Sequence, residues 1–397
     1  MELTLLGTGG PEGLPLPDCP CAACAVAVGA GARAATAVVV DGLVLLDLTP
    51  GVAMAAARAG QPLGGLRMVL LSHPHDGPPV EVPAGLPAPV RLPDGERLPL
   101  TTGHRVEAVA VDAPGTGYAV ESPDGFRVLY LPPGCGPAGV SAGGPPYDLV
   151  LLDVVGRPDG LARLREVGAV ISTTDVVAVH LDHEAPPEPE LTRRLAALGA
   201  RAVPDGTTLV AGDYQEVPDV PRRTLVLGGA RSGKSLEAER RLSAFPGVVY
   251  VATGGSRAGD AEWAARVAVH RERRPAGWRT EETCDLLPLL ADAGGPPLLI
   301  DCLSLWLTHT LDAADAWTSP AAGLPAVHAA TAGLVAGWRA TRRTVVAVSN
   351  EVGSGVVPPT PAGRLFRDEL GRLNAALAAE SEHVLLVVAG QAVRLRG

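Results

Sequence analysis

The chain has a single lysine. Its 33 basic residues are 32 arginines and Lys234, set among 48 glycines and 38 prolines. Aromatic residues make up only 3% of the 397 positions, so any core must be built mainly from aliphatic side chains. No basic tail or stripe accompanies the formal net charge of −10, which argues against a nucleic-acid binder. No run of 18 or more apolar residues offers a membrane span. The opening residues, MELTLLGTGGPEG, carry no basic segment followed by an apolar one, so no secretory signal is expected and the expected location is cytoplasmic. Cysteine is scarce as well. Three of the six crowd into residues 19–24, the spacing of a metal site in a reducing compartment and not of a disulfide framework.

What is present divides near residue 220. At roughly 100–200 residues per domain, the length predicts two or three domains. Up to about residue 210 the chain shows short β-rich runs broken by Gly and Pro: ELTLLGTGG, TAVVVDGLVLLDL, RMVLLSHPHD, FRVLYLPP and DLVLLDVV. Asp41-Gly42 sits between two apolar runs and predicts a hairpin turn. The polar stretch AGDYQEVPDVPRR (211–223) has the composition of a linker, which sets the expected boundaries at 1–212, 213–222 and 223–397. From Thr224 strand-like runs alternate with helical ones. RTLVLGGA leads to a helix from Lys234, GVVYVATG precedes the amphipathic DAEWAARVAVHRE, and PPLLIDCLSLWL is a buried strand entering an apolar segment. This alternation predicts an α/β fold with a mostly parallel sheet. The stretch DAADAWTSPAAGLP (312–325) reads as a surface insertion with the least structure, and no internal repeat is visible.

The lone lysine lies in a motif. Gly228, Gly229, Ala230, Arg231, Ser232, Gly233, Lys234 and Ser235 match GxxxxGK[ST] between a strand-like run and a helical one, the context this phosphate loop requires. Its glycines let backbone N–H groups approach phosphate oxygens, and the helix N-terminus adds partial positive charge. An ammonium is a compact point charge that fits between β- and γ-phosphates, whereas a planar guanidinium prefers bidentate geometry. The Ser235 hydroxyl would ligate Mg²⁺. The bland alternative, a glycine-rich turn with an incidental lysine, leaves the survival of one Lys among 32 Arg unexplained.

A second unusual stretch is AARVAVHRERRPAGWRTEE (264–282), where His270 is followed by Arg271, Arg273 and Arg274. Adjacent guanidiniums can meet a polyphosphate and favour the neutral, nucleophilic imidazole. A solvated histidine at a basic helix end is the alternative reading of the residues alone. Here the sequence resembles a known family. GGARSGKS, VYVATGG, AARVAVHRERRPAGWRT, LIDCLSLWLTHTL, VSNEVGSGVVP, GRLFRDELGRLNAALA and VLLVVAGQAVRL occur in the order of the bifunctional adenosylcobinamide kinase/adenosylcobinamide-phosphate guanylyltransferases, over essentially all of 223–397. The resemblance implies phosphorylation of adenosylcobinamide by a nucleoside triphosphate. It then implies transfer of GMP from GTP to that phosphate through a covalent histidine–GMP intermediate, in late cobalamin assembly. It makes His270 the nucleophile and Arg271, Glu272, Arg273 and Arg274 nucleotide contacts. It adds Ala252, Thr253 and Gly254 as a second nucleotide-binding turn, with Glu282 and Asp301 as acidic nucleotide-binding positions. Asp301 ends an apolar strand, so it is either a Walker-B-like Mg²⁺ ligand or a helix cap. SNEVGSGVVP (349–358), with Asn350 and Glu351, is assigned to the corrinoid side. The implied ligands are GTP, ATP, Mg²⁺, adenosylcobinamide and adenosylcobinamide phosphate. The implied assembly is a homo-oligomer, with a trimer as the form to look for. Cys135, Cys284 and Cys302 show no ligand spacing and read as ordinary thiols.

The first 210 residues resemble the metallo-β-lactamase fold, an αββα sandwich, in its phosphonate-metabolism phosphodiesterase branch. The likeness rests on GTGGPEGLP, CPCAACA, LLDLTPG and LLSHPHDGPP. Cys19, Cys21 and Cys24 with His183 of VHLDH would complete a tetrahedral shell with no open position, a structural zinc site. The catalytic site departs from the family: its HxHxDH motif is replaced by His73-Pro74-His75-Asp76-Gly77-Pro78, and VAVDAPGTGY (109–118) holds no histidine. His73, His75, Asp153 and His180 remain, either as one degenerate metal site or as a vestigial loop. Two functions follow for the whole chain. One is a kinase and guanylyltransferase carrying a zinc-stapled accessory domain; the other is a metallo-hydrolase with a regulatory nucleotide-binding P-loop domain.

Overall fold

The computed structural model describes residues 1–74, 80–213, 220–255, 268 and 274–397. His75, His270, Arg271, Glu272 and Arg273 lie outside the described residues, as does most of the helix predicted over DAEWAARVAVHRE. The chain divides into two compact units, Met1–Asp219 and Val220–Gly397.

The first unit contains β1 (Glu2–Gly7), β2 (Ala37–Val40), β3 (Val44–Leu46), β4 (Met68–Leu70), β5 (Arg97–Pro99), β6 (Arg105–Val109), β7 (Gly117–Glu121), β8 (Arg127–Tyr130), β9 (Leu149–Leu152), β10 (Asp175–Ala178) and β11 (Thr208–Val210). They form two sheets, ordered β11-β1-β2-β3-β4 and β10-β9-β8-β7-β6-β5. The hairpin expected at Asp41-Gly42 joins β2 to β3, with both residues at positive φ (47° and 66°) as a primed turn demands. Alternate residues of both sheets, among them Leu3, Leu5, Val38, Leu46, Val106, Tyr118, Tyr130 and Leu151, meet in one core. The opposite parity of the first sheet (Leu6, Val39, Leu45, Val69) packs with Val52 and Ala56 of the helix Val52–Arg58. Outside the second sheet, Gly160 of the helix Pro158–Glu166 approaches Leu152. Period-2 alternation thus covers each sheet on both faces, giving helix, sheet, sheet, helix.

The second unit contains β12 (Arg223–Gly228), β13 (Val249–Ala252), β14 (Arg279–Glu282), β15 (Leu298–Asp301), β16 (Val345–Asn350), β17 (His383–Val388) and β18 (Gln391–Arg396). The sheet runs β14-β13-β15-β16-β12-β17-β18, parallel except for β18. Its inner strands are largely apolar because both faces are covered, while the edge strands β14 and β18 carry polar residues and are mostly exposed. Leu225, Leu227, Val249, Val251, Leu298 and Ile300 pack on one side with the helices Leu303–Ala313, Pro320–Ala340 and Pro361–Ala379. Val226, Tyr250, Leu299, Val346 and Leu385 pack on the other with Ala238 and Leu242 of the helix Lys234–Leu242.

One expectation is corrected here. Residues 312–325 are not an unstructured insertion: they finish one helix, turn through the fully buried Ala316, and enter the helix Pro320–Ala340. Pro320 occupies the first helical turn, where its missing N–H costs nothing, and Pro325 follows just past that turn. No described helix is long and apolar enough to cross a membrane.

Candidate functional site

In a parallel sheet, the carboxyl ends of neighbouring strands share one edge, and turns leaving that edge form ligand sites. The register here places Gly228 opposite Asn350, Asp301 opposite Val348, and Ala252 opposite Asp301. Three separate sequence motifs therefore emerge on one edge of the sheet: the Ala252–Gly254 turn and Asp301 on neighbouring strands, and the Gly228–Ser235 loop beyond β16.

The loop between β12 and the helix Lys234–Leu242 needs its glycines for two reasons. A Cβ on Gly228 would lie 2.4 Å from Ser232 Oγ and 2.7 Å from the Val387 carbonyl oxygen, too close for any side chain. Gly233 caps the helix at φ 98°, in the left-handed region. Arg231 is also left-handed, at φ 57°. The Lys234 Nζ donates to the Gly229 carbonyl across the loop at 3.0 Å, so the ammonium sits over the turn where phosphate oxygens are expected.

The other two motifs are joined directly. Thr253 Oγ1 accepts from the Cys302 amide (2.9 Å) and donates to the Cys302 carbonyl (2.7 Å), locking the turn after β13 to the one after β15. Asp301 Oδ2 accepts from the Tyr250 hydroxyl at 2.6 Å. Beside them lies a cleft of about 690 Å³, lined by Ala252, Thr253, Gly254 and Glu282 from the expected nucleotide set. Its opposite wall is Leu305, Thr308, His309 and Asp312, spaced i, i+3, i+4, i+7 on one helix face. Sequence reasoning did not flag that wall, although its helical spacing is visible in LSLWLTHTLDA. Arg274 is described and stacks on the Tyr250 ring. Burial pushes the Cys302 thiol up to about 11, with the Asp301 carboxylate acting in the same direction. Burial also raises Cys135 and Cys284, so all three are neutral thiols in the physiological range.

In the first unit, Cys19, Cys21, Cys24 and His183 converge, with their ligand atoms all within 4.8 Å of one another. Among the described residues no other group of three or more His, Cys, Asp or Glu side chains does so. His183 Nδ1 stands 3.1 Å from Cys19 Sγ and 3.9 Å from Cys21 Sγ. The Cys24 backbone N–H donates to Cys21 Sγ and, with Cys19, holds that thiol down at about 7, favouring the thiolate a metal needs. Three sulfurs and one imidazole nitrogen at these separations fit a closed tetrahedral zinc shell.

His73 and His180 line a separate cavity of about 300 Å³ together with Thr36, Asp47 and Arg91; Asp153 is not among its lining residues. The Asp153 carboxylate instead accepts from the Gly156 and Gly134 amides. The cavity is organised by Asp47, which sequence reasoning did not single out. Asp47 accepts from the Ser72 amide and hydroxyl (both 2.6 Å) and the Tyr130 hydroxyl (2.5 Å), with His73 Nδ1 at 3.6 Å. Burial opposes its ionisation, but His73, Ser72 and Tyr130 outweigh that and hold the carboxyl below its usual range. The Ser72 proton goes to Asp47, so in the contact of Ser72 with His73 Nδ1 (2.9 Å) the imidazole is the donor. His180 Nε2 donates to the Leu131 carbonyl at 3.0 Å, leaving Nδ1 bare, and burial holds this histidine neutral with a pKa of about 4.

Comparison with known proteins bears on the two units differently. The family model for cobinamide kinase / cobinamide phosphate guanyltransferase matches residues 224–395. The bifunctional adenosylcobalamin biosynthesis protein CobU of Salmonella typhimurium is 40% identical over 180 residues, 43% of this chain and 98% of the relative. CobP of Pseudomonas aeruginosa, described in the same words, is 43% identical over 180 residues, 44% of this chain and 98% of the relative. Among solved structures, Zn²⁺-bound PqqB from Methylobacterium extorquens aligns with a TM-score of 0.40 at 18% identity, over 53% of this chain and 100% of that one. A diphosphatase from the PhnP family aligns with a TM-score of 0.38 at 20% identity, over 55% and 99%. Through its second unit, and over nearly the full length of both curated relatives, the chain belongs to the cobinamide kinase / cobinamide phosphate guanyltransferase family.

Proposed function

We propose that the second unit phosphorylates adenosylcobinamide with a nucleoside triphosphate and then transfers GMP from GTP to that phosphate by way of His270. The observation that carries this reading is the shared carboxyl edge of the parallel sheet, where Asp301 on β15 and the Ala252–Gly254 turn after β13 lie on neighbouring strands and the loop holding Lys234 leaves β12, one strand beyond β15 across β16. Backbone amides of the loop and the N-terminus of the helix Lys234–Leu242 would hold the triphosphate, with Lys234 between its terminal oxygens. Ser235 and Asp301 are the residues to hold Mg²⁺, which when bound supplies positive charge against the β- and γ-oxygens. The neutral His270 imidazole attacks the α-phosphorus of GTP; a P–N bond forms, a P–O bond breaks, and pyrophosphate leaves. An oxygen of adenosylcobinamide phosphate then displaces the imidazole, so two displacements replace one difficult step. Arg271, Arg273 and Arg274 would offset charge on the transferring group.

For the first unit, the set Cys19, Cys21, Cys24 and His183 supports a zinc-stapled accessory module of metallo-β-lactamase type. Among the described residues, His73, Asp153 and His180 do not bring their ligand atoms together within 4.8 Å, which argues against a bridged two-metal hydrolase.

Incubation of the full chain with α-labelled GTP and Mg²⁺ tests the transferase reading. An acid-labile, alkali-stable adduct, lost in His270→Ala, is the expected result. Wild-type protein that binds GTP yet forms no adduct would overturn it, and would favour a hydrolase with a regulatory nucleotide module.

A further inference from the structure

Tyr250 carries two unrelated contacts on one side chain. It sits in β13 between Thr280 of β14 and Leu299 of β15, with only 4% of its surface exposed. Its hydroxyl donates to Asp301 Oδ2 at 2.6 Å. The Arg274 guanidinium carbon lies 3.2 Å from the centroid of its ring, and Arg274 Nη1 donates to Thr280 Oγ1 at 3.0 Å. Arg274 Nε is buried and has no hydrogen-bond partner among the described residues. A guanidinium free to reach solvent would satisfy that donor, so the ring face holds Arg274 in place against a cost. Burial and the Asp301 carboxylate also push the phenol above its ordinary range, which keeps the hydroxyl a donor.

The two partners belong to different halves of the proposed chemistry. Asp301 stands on the sheet edge beside the phosphate loop, and Arg274 follows His270 by four positions in the sequence. We propose that Tyr250 is a positioning residue for both half-reactions: its hydroxyl orients Asp301 for phosphoryl transfer, and its ring fixes Arg274 for guanylyl transfer. This rests on the function proposed above.

The two contacts can be removed separately in the full chain. Tyr250→Phe keeps the ring and deletes the bond to Asp301; it is expected to slow adenosylcobinamide phosphorylation by about tenfold while adduct formation at His270 stays within about twofold of wild type. Tyr250→Leu deletes both contacts and is expected to slow adduct formation by about tenfold as well. The double variant Tyr250→Leu/Arg274→Ala should then form adduct no more slowly than Arg274→Ala alone, because the stack is already absent. Equal losses of both activities in Tyr250→Phe, or fully additive losses in the double variant, would overturn the proposal. If Tyr250→Leu fails to fold, the split in Tyr250→Phe, which preserves the ring, decides alone. Affinity for a fluorescent GTP analogue, measured across wild type, Tyr250→Leu, Arg274→Ala and the double variant, separates the two claims. Wild type that binds the analogue but forms no adduct defeats the transferase reading, while the cycle in affinity still shows whether Tyr250 and Arg274 act through each other.

Discussion

Two adjacent glycines of the phosphate loop should respond oppositely to the same methyl group. At Gly228 a Cβ would stand 2.4 Å from Ser232 Oγ and 2.7 Å from the Val387 carbonyl oxygen. The serine hydroxyl can rotate away, but Val387 is fixed within β17, which pairs with β12 along its length. Gly228→Ala must therefore push two paired strands apart, and overpacking of this kind costs about 1–3 kcal/mol. In a unit of this size each kcal/mol lowers the melting temperature by roughly 2–4 °C, so a drop of several degrees is expected. At Gly229 the same Cβ meets nothing within 4 Å. Gly229→Ala should leave the melting temperature within about a degree, since surface changes of this kind usually fall within ±0.5 kcal/mol. Its effect should appear in GTP affinity, where a methyl group obstructs the approach of phosphate to the loop. The assay is clean because all five tryptophans, Trp263, Trp278, Trp306, Trp317 and Trp338, lie in the second unit. Their fluorescence reports the melting of that unit without interference from the first. An unchanged melting temperature in Gly228→Ala, or a clear drop in Gly229→Ala, would refute the close-approach argument.

The remaining predictions concern the first unit. Purified chain should carry zinc by elemental analysis; Cys24→Ser or His183→Ala should lose it and lower the melting temperature of the first unit, and unchanged metal content would refute the assigned shell. Asp112 supplies a pH test: burial raises its carboxyl, but Arg157, the Gly136 amide and Arg163 outweigh that and hold it at about 2. Because the folded value lies below the unfolded value of about 3.9, the stabilisation is present above pH ~4 and disappears as pH falls towards 2. Calorimetry should show a shallower acid limb for Asp112→Asn than for wild type, and parallel limbs would refute the assignment.

How much of this was legible in the sequence depends on the range of the interaction. The phosphate loop, the Asp41-Gly42 turn and the Cys19-x-Cys21-x2-Cys24 spacing are local patterns whose chemistry is written within a few residues. The addition of His183 to the cysteines came through resemblance, because 159 positions separate it from Cys24. The Tyr250–Asp301 bond spans 51 positions and the Tyr130–Asp47 bond 83, and no periodicity links such partners. Tyr250 reads in the sequence as one more apolar position of a buried strand; only the parallel register of β13 and β15 gives its hydroxyl a carboxylate. Residues 312–325 were misread for a different reason. Ser-Pro looks like a break, yet a proline in the first helical turn, as Pro320 is, starts a helix instead of stopping one; Pro325 is carried inside the same helix.

The cavity of the first unit shows how a motif can lose its pattern and keep its structure. Two non-glycine residues at this cavity, Asp47 (φ 64°) and His180 (φ 60°), occupy the left-handed region, a conformation costing on the order of 1 kcal/mol each. Each is over-determined by its neighbours. Asp47 is held by Ser72 and Tyr130, while His180 is held by its own N–H to Thr36 Oγ1 (3.1 Å) and its ring to the Leu131 carbonyl. A merely vestigial loop would be expected to relax such strain, since nothing would repay it. Here two imidazoles line the cavity, each oriented by a hydrogen bond at one ring nitrogen, and the neutral His180 keeps Nδ1 bare. The departure at Asp76-Gly77-Pro78 from the HxHxDH pattern of the family this unit resembles therefore leaves in place the scaffold that orients His73 and His180. That scaffold is independent of the cysteine cluster, because none of its hydrogen bonds involves Cys19, Cys21, Cys24 or His183. Removal of a zinc ion held by the cysteine cluster should accordingly lower the stability of the unit while the Asp47–Ser72–His73 arrangement persists in whatever fraction remains folded.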